Sequence, residues 1–150
     1  MRVLAALVAL FSFSAFAACP KLAGTYASCR STTGTATGST DVVITQAIQN
    51  GVTVYTVTST DDESQERGSE EIIADGKTRT ESVNSELGLA VASIKYSCSG
   101  KKVLGNQSLT IDGASFFELD VEIEKKGSIL EMAQTGSIFG QAFEDTLICE

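Results

Sequence analysis

Histidine is absent from all 150 residues, and that omission removes most acid–base chemistry available near neutral pH. Ser-His and Cys-His nucleophile pairs need an imidazole to take the proton, and His-ligated metal sites need its lone pair. Carboxylates are plentiful instead. Asp61-Asp62-Glu63, followed by Glu66, Glu70 and Glu71, offers the oxygen ligands that calcium takes, but lacks the alternating spacing and fixed glycine of a calcium loop. It reads as a solvated acidic loop. Glu118, Asp120, Glu122 and Glu124 alternate with Phe117, Leu119, Val121 and Ile123, which is the wet face of a half-buried strand. Two acids can hydrolyse a glycoside, yet no pair here stands apart from the other surface acids. Lys101-Lys102 and Lys125-Lys126 read as turn residues. The sequence leaves a Ser-Lys dyad open, but it is read as a non-enzyme with no catalytic residue, no metal and no cofactor.

The N-terminus reads as a bacterial-type export signal. Arg2 supplies the positive start, Val3 to Phe13 is almost wholly apolar, and Ala15-Phe16-Ala17 places small residues at the cleavage positions. Domain organisation follows: a signal peptide over residues 1–17, then a single domain over 18–150. The apolar run is too short to span a bilayer, and no comparable run follows, so no membrane span is expected. The reading is an exported protein, periplasmic or secreted. Without Arg2 the balance is 10 basic against 19 acidic side chains, a surface that repels phosphate backbones and disfavours nucleic acid. Cys19, Cys29, Cys98 and Cys149 all follow the signal, and an even count in an exported chain implies two disulfide bonds with three possible pairings. A lipoprotein acylated on Cys19 is the competing reading. Phe16 sits badly in a lipobox, and acylation would strand three cysteines.

Strand-like text with turn signals fills the rest. Asp41 to Ser59 is two Val/Ile/Thr-rich runs meeting at Asn50-Gly51, a strong two-residue hairpin signal. That turn sets Ile48 against Thr53, Gln46 against Tyr55, Ile44 against Val57 and Val42 against Ser59, with this face inward. A second hairpin is expected at Asp75-Gly76, joining 70–74 to 77–81. Leu89 to Cys98 is a further strand with Ala92, Ile94, Tyr96 and Cys98 on one face. At Asp112-Gly113 a plain two-residue loop would turn the acidic row inward, so a three-residue loop, Asp112 to Ala114, is expected to pair Leu109 with Phe117. The total is about ten strands and no helix. Long polar connections (31–40, 60–69, 82–88) alternate with tight ones, as in an up-and-down antiparallel meander with an open mouth and a closed base.

Leu22-Ala23-Gly24-Thr25-Tyr26 resembles the Gly-x-Trp opening of the lipocalins, with Tyr26 in place of tryptophan. The resemblance implies an all-β, calycin-type barrel of about 8–10 strands, with 31–40 shielding its mouth. A small apolar ligand would sit in its lumen, lined by Tyr26, Ile44, Gln46, Tyr55, Val57, Ile94, Tyr96, Phe117, Leu119 and Val121. Gln46, Tyr55 and Tyr96 are the polar handles. The alternative is a solidly packed barrel acting through its loops as a protein-interaction or inhibitor module, whose acidic surface suits basic extracytoplasmic proteins. Strand parity places Cys98 and Cys149 together at the base, which predicts Cys98–Cys149 and leaves Cys19 to Cys29.

The signal-peptide reading has a direct check. The intact mass of the exported protein should correspond to a chain that starts at or near Ala18, with Cys19 unacylated; a diacylglycerol adduct on that cysteine would overturn it.

Overall fold

Valine, isoleucine and threonine at alternate positions, cut by turn-forming residues, fold into strands throughout. The computed structural model describes residues 18–34 and 40–150. The signal-peptide expectation, and the middle of the mouth-shielding connection, lie outside the described residues. Within them there are ten strands and no helix: β1 (Gly24–Ser31), β2 (Thr40–Gln49), β3 (Val52–Asp61), β4 (Arg67–Ile73), β5 (Thr78–Ser85), β6 (Gly88–Ser99), β7 (Lys102–Ile111), β8 (Ala114–Lys126), β9 (Ile129–Ile138) and β10 (Gln141–Cys149). They form one curled antiparallel sheet in the order β4-β3-β2-β1-β10-β9-β8-β7-β6-β5. The meander is thus joined through β1 and β10, and it is open between β4 and β5.

The Asn50-Gly51 hairpin has the expected register, with Val42↔Ser59, Ile44↔Val57, Gln46↔Tyr55 and Ile48↔Thr53. Val42, Ile44 and Tyr55 are buried on that face. Leu109 also pairs with Phe117 as burial demands, but by a different device. The loop keeps two residues, Asp112 and Gly113, both at positive φ, and a bulge between Leu109 and Thr110 shifts the register back. A bulge corrects the faces as well as a longer loop would, and it preserves the favoured tight turn.

Three expectations are corrected. Asp75-Gly76 closes no hairpin: β4 pairs with β3, and β5 pairs with β6. The turn is instead tied to β6, because the Gly76 amide donates to the Tyr96 carbonyl at 2.8 Å. The 82–88 segment is not a long loop, since β5 runs on to Ser85 and turns at Glu86-Leu87. The long-and-tight alternation therefore fails beyond β4.

The third correction is the disulfide pairing, which is Cys19–Cys98 and Cys29–Cys149. Parity gives the direction of β1 and β10 correctly, since they run antiparallel, but it ignores stagger. Tilted strands of a curled sheet slide along one another. β1 pairs with β10 over Arg30↔Ile148 and Ser31↔Leu147, extended by mutual backbone bonds between Ala27 and Glu150 and by the Thr32 amide donating to the Thr146 carbonyl. That slide sets Cys29 level with Cys149. Cys19 lies ahead of β1 and reaches Cys98 at the end of β6, so residues 18–23 cross the base of the sheet.

The core gathers on the concave face above that segment: Leu22, Tyr26, Val42, Ile44, Tyr55, Tyr96, Val103, Val121 and Leu130, with Cys29 and Cys149 among them. Burying each such aliphatic side chain contributes about 1.5–3 kcal/mol. Gly105 lies beneath the Tyr96 ring, which a Cβ at that position would strike.

Non-reductive peptide mapping should return Cys19 linked to Cys98 and Cys29 linked to Cys149; a Cys98–Cys149 peptide would refute this chain path. The Cys29→Ser/Cys149→Ser variant should lose about 5 kcal/mol of stability in the chain-entropy model for a bridge of sequence separation 120, read from the denaturant midpoint.

Candidate functional site

Residues named as lumen candidates divide by height in the curled sheet. Tyr26, Ile44, Tyr55, Tyr96 and Val121 are buried in the packed lower half, while Val57, Phe117 and Leu119 are half-buried above them and Ile94 is exposed. The lower half is occupied by the chain itself. The Tyr55 hydroxyl donates to the Pro20 carbonyl at 2.7 Å, Tyr26 donates to the Leu22 carbonyl at 2.6 Å, and the Leu22 amide donates to Gln46 Oε1 at 3.2 Å. Two of the three polar handles, Gln46 and Tyr55, are therefore engaged by residues 20–22 of the same chain.

The third handle, Tyr96, bridges the opening of the sheet. Its hydroxyl accepts from Gln107 Nε2 at 2.6 Å and donates to Glu70 Oε1 on β4 at 3.3 Å. Burial pushes the Tyr55 phenol up to about 12. Tyr96 is also raised to about 12, by burial first and by the Glu70 charge second, with Gln107 acting the other way.

Beside Tyr96 lies a cavity of about 130 Å³ lined by Glu71, Ile73, Arg79, Glu81, Ala92, Ile94 and Tyr96. Its lining has a topological meaning. Ile72 faces Tyr55 in the β3–β4 ladder, so Glu71 and Ile73 belong to the opposite face of β4. Arg79, Glu81, Ala92 and Ile94 share the face of Tyr96. The two ends of the sheet thus overlap, with the back of β4 against the front of β5 and β6. Arg79 is held to Asp75 by two contacts, at 2.8 and 3.1 Å, which keeps the Asp75 carboxyl below the usual range.

The far end of the sheet carries apolar side chains that the core does not use. Phe139 is 68% exposed and Leu87 75% exposed, each in a two-residue turn, with Val83 and Leu89 also exposed. Phe139 has φ 51°, the left-handed region, although it opens a turn whose equivalents elsewhere in this chain are Asn50 and Asp112. A bulky side chain there costs on the order of 1 kcal/mol or more. The Phe139 ring tilts against Phe116 with centroids 4.1 Å apart, and its amide donates to the Phe116 carbonyl. Leu89 is tied to the β7–β8 turn through Asp112, whose carboxylate and amide bond the Leu89 amide and carbonyl.

The acidic segments serve local structure. Asp61 accepts from the amides of Glu63 and Ser64 and from the Ser64 hydroxyl, closing the β3–β4 turn and lowering its own pKa, with the Ser64 bonds the largest causes. On the acidic strand face, Asp120 accepts from Asn106 at 2.9 Å and Glu122 meets Lys102 at 2.6 Å.

The chain matches no protein-family model, no curated protein and no solved structure. Its own residues describe the site. Sequence reasoning missed the role of residues 18–23 as a base plug, and it missed the rim built on Phe139. The available signal for the rim was Phe139-Gly140: an x-Gly turn dipeptide with an aromatic where asparagine or aspartate is the norm.

Raised phenol values carry a sign. With an unfolded value near 10.0 and folded values about 12, the two tyrosines contribute stability that is intact below pH 10 and lost as pH rises to 12. Tyrosinate absorbance should accordingly show two late-ionising tyrosines, and Glu70→Gln should move one of them to lower pH. A titration complete by pH 11 in the wild type would contradict this geometry.

Proposed function

We propose that this protein is an exported, non-catalytic binding domain that docks a basic protein partner on the rim carrying Phe139. One observation carries the reading: an exposed Phe139 kept in the left-handed region at the tip of a turn. Backbone strain at an exposed position persists where function uses it, and solvent-facing aromatics are the usual anchors of protein interfaces. Phe116 packs against Phe139, and Leu87 and Leu89 add exposed apolar side chains at the same end of the sheet. Glu86, beside Leu87 in the chain, and Glu118, two residues after Phe116, are exposed, which fits a partner of positive charge. The two disulfide bonds suit an oxidising, extracytoplasmic compartment, and the leader at 1–17 supports export.

The second reading is a small apolar ligand. Ile94 and Tyr96 at the overlap cavity favour it, but drug-sized pockets have volumes of roughly 300–1,000 Å³, and this cavity holds about 130 Å³. Kinship with the calycins rests on the Gly24–Tyr26 opening and on the meander layout. The pairing of β1 with β10, first strand with last, fits such a barrel, and the missing β4–β5 pairing stands against it.

A photo-crosslinking residue at position 139 should capture one dominant basic protein in the exported fraction of the native host. The same residue at exposed position 48, in the Asn50-Gly51 hairpin, should capture none. Equal patterns at both positions would sink the proposal. Phe139→Asn should abolish the capture while altering folding stability by no more than about 1 kcal/mol. It loses a ring contact of roughly 0.5–1.5 kcal/mol but relieves a comparable backbone cost. Retained ligand mass in native mass spectrometry, with no crosslink, would favour the small-molecule reading.

A further inference from the structure

Five of the eleven basic residues lie at the base of the sheet: Lys21, Lys101, Lys102, Lys125 and Lys126. They divide into two kinds. Lys102 is paired with Glu122, and Lys126 with Glu131 and Glu124. Lys21, Lys101 and Lys125 have no ion pair among the described residues, and these three line one concavity of about 280 Å³ together with Pro20, Gly100 and Gly127. They come from three separate stretches of chain: the plug, the β6–β7 turn and the end of β8.

Each stretch is anchored independently. Lys21 sits between Cys19, which is bonded to Cys98, and Leu22, which is 1% exposed. The Lys125 ammonium lies 5.5 Å from the centroid of the Tyr26 ring and 3.4 Å from the Ala23 carbonyl, so a ring and a carbonyl hold it where a carboxylate would hold its neighbour. Gly100 and Gly127 both have positive φ, and where a Cβ would stand on either of them there is open space. A ligand can therefore approach the backbone of both turns. The chain carries 19 carboxylates against 11 cations, so three lysines lining one concavity with no ion pair among the described residues are a feature to explain. Like charges held together repel, and a multiply charged anion between them removes the repulsion.

We infer that the concavity formed by Lys21, Lys101 and Lys125 at the base of the sheet binds a phosphate group. Lysines act on phosphate as point charges with several donors each, and this arrangement supplies three of them around backbone that is free of side chains. The site lies at the base, in the 18–23 segment and the β6–β7 and β8–β9 turns, and is independent of the rim proposed to dock a protein.

The test titrates the oxidised protein with inorganic phosphate and pyrophosphate at constant ionic strength and follows backbone amide resonances. Saturable shifts are expected at Lys21, Gly100, Lys101 and Gly127. The Lys21→Gln/Lys101→Gln variant should weaken binding by roughly tenfold or more, about the worth of one charge-assisted hydrogen bond. Lys95→Gln, an exposed lysine on β6, should leave it unchanged. A second arm measures co-sedimentation with phosphatidylcholine vesicles with and without phosphatidylglycerol. Response to the free anions alone identifies a soluble phosphate compound. Co-sedimentation that needs phosphatidylglycerol and is lost in the double variant identifies a lipid headgroup. Shifts that do not saturate, that spread equally to Lys77 and Lys95, or that survive the double variant unchanged would overturn the inference, as would silence in both arms.

Discussion

The junction of β1 with β10 is the constraint on which the sheet depends. Only a short overlap of backbone pairs joins these strands, and Cys29–Cys149 sits inside it. From there β2, β3 and β4 extend one way and β9 through β5 the other. The two ends of the chain are thus the middle of the sheet, and each outer strand needs only its hairpin neighbour. Loss of the junction would divide the molecule into a four-stranded and a six-stranded piece with no mutual backbone bonds except at turns. A long-range covalent link at the place of least hydrogen bonding offsets the closure entropy that such a non-local contact costs.

The same junction explains what was legible in the sequence. Local pairings were, because each depends on residues a few positions apart. Asn50-Gly51 fixed its own register, and the Phe117–Glu124 alternation fixed its own faces. Leu109↔Phe117 was recoverable from burial, although the bulge that achieves it was not, since a bulge and a longer loop satisfy the same facing rule. Disulfide pairing was not legible. It turns on strand stagger, which is set by the tilt of the whole sheet and leaves no trace in any one hairpin. Asp75-Gly76 misled for a related reason: its chemistry encodes a turn, but whether the flanking strands pair is decided by the overlap of β4 on β6.

Candidate site residues followed the same division. Ile48 and Ile94, expected on the inward face, are exposed, and Val54, on the opposite face of its hairpin, is buried. Tyr26, Ile44, Tyr55, Tyr96 and Val121 do lie together in the core. What fills the space in front of them is a different question, answered by residues 18–23. Nothing in Pro20-Lys21-Leu22 marks it as a plug. The partners of residues 20–23 are Gln46, Tyr55 and Lys125, which come from three strands far along the chain.

A packed interior follows from strand number. Eight strands close around a bore that side chains can just fill, and more strands leave a wider one. Ten strands in this chain would enclose a lumen that its small and medium side chains cannot pack, with no tryptophan and only three tyrosines to help. The sheet avoids that void in two ways. It rolls β4 inside β5 and β6 instead of meeting them edge to edge, and it threads its own N-terminal segment under the three tyrosines. Both devices place protein in front of the lower concave face. The two ends then differ in character: a strained, exposed Phe139 on one rim, and around the plug at the other three lysines with no ion pair among the described residues.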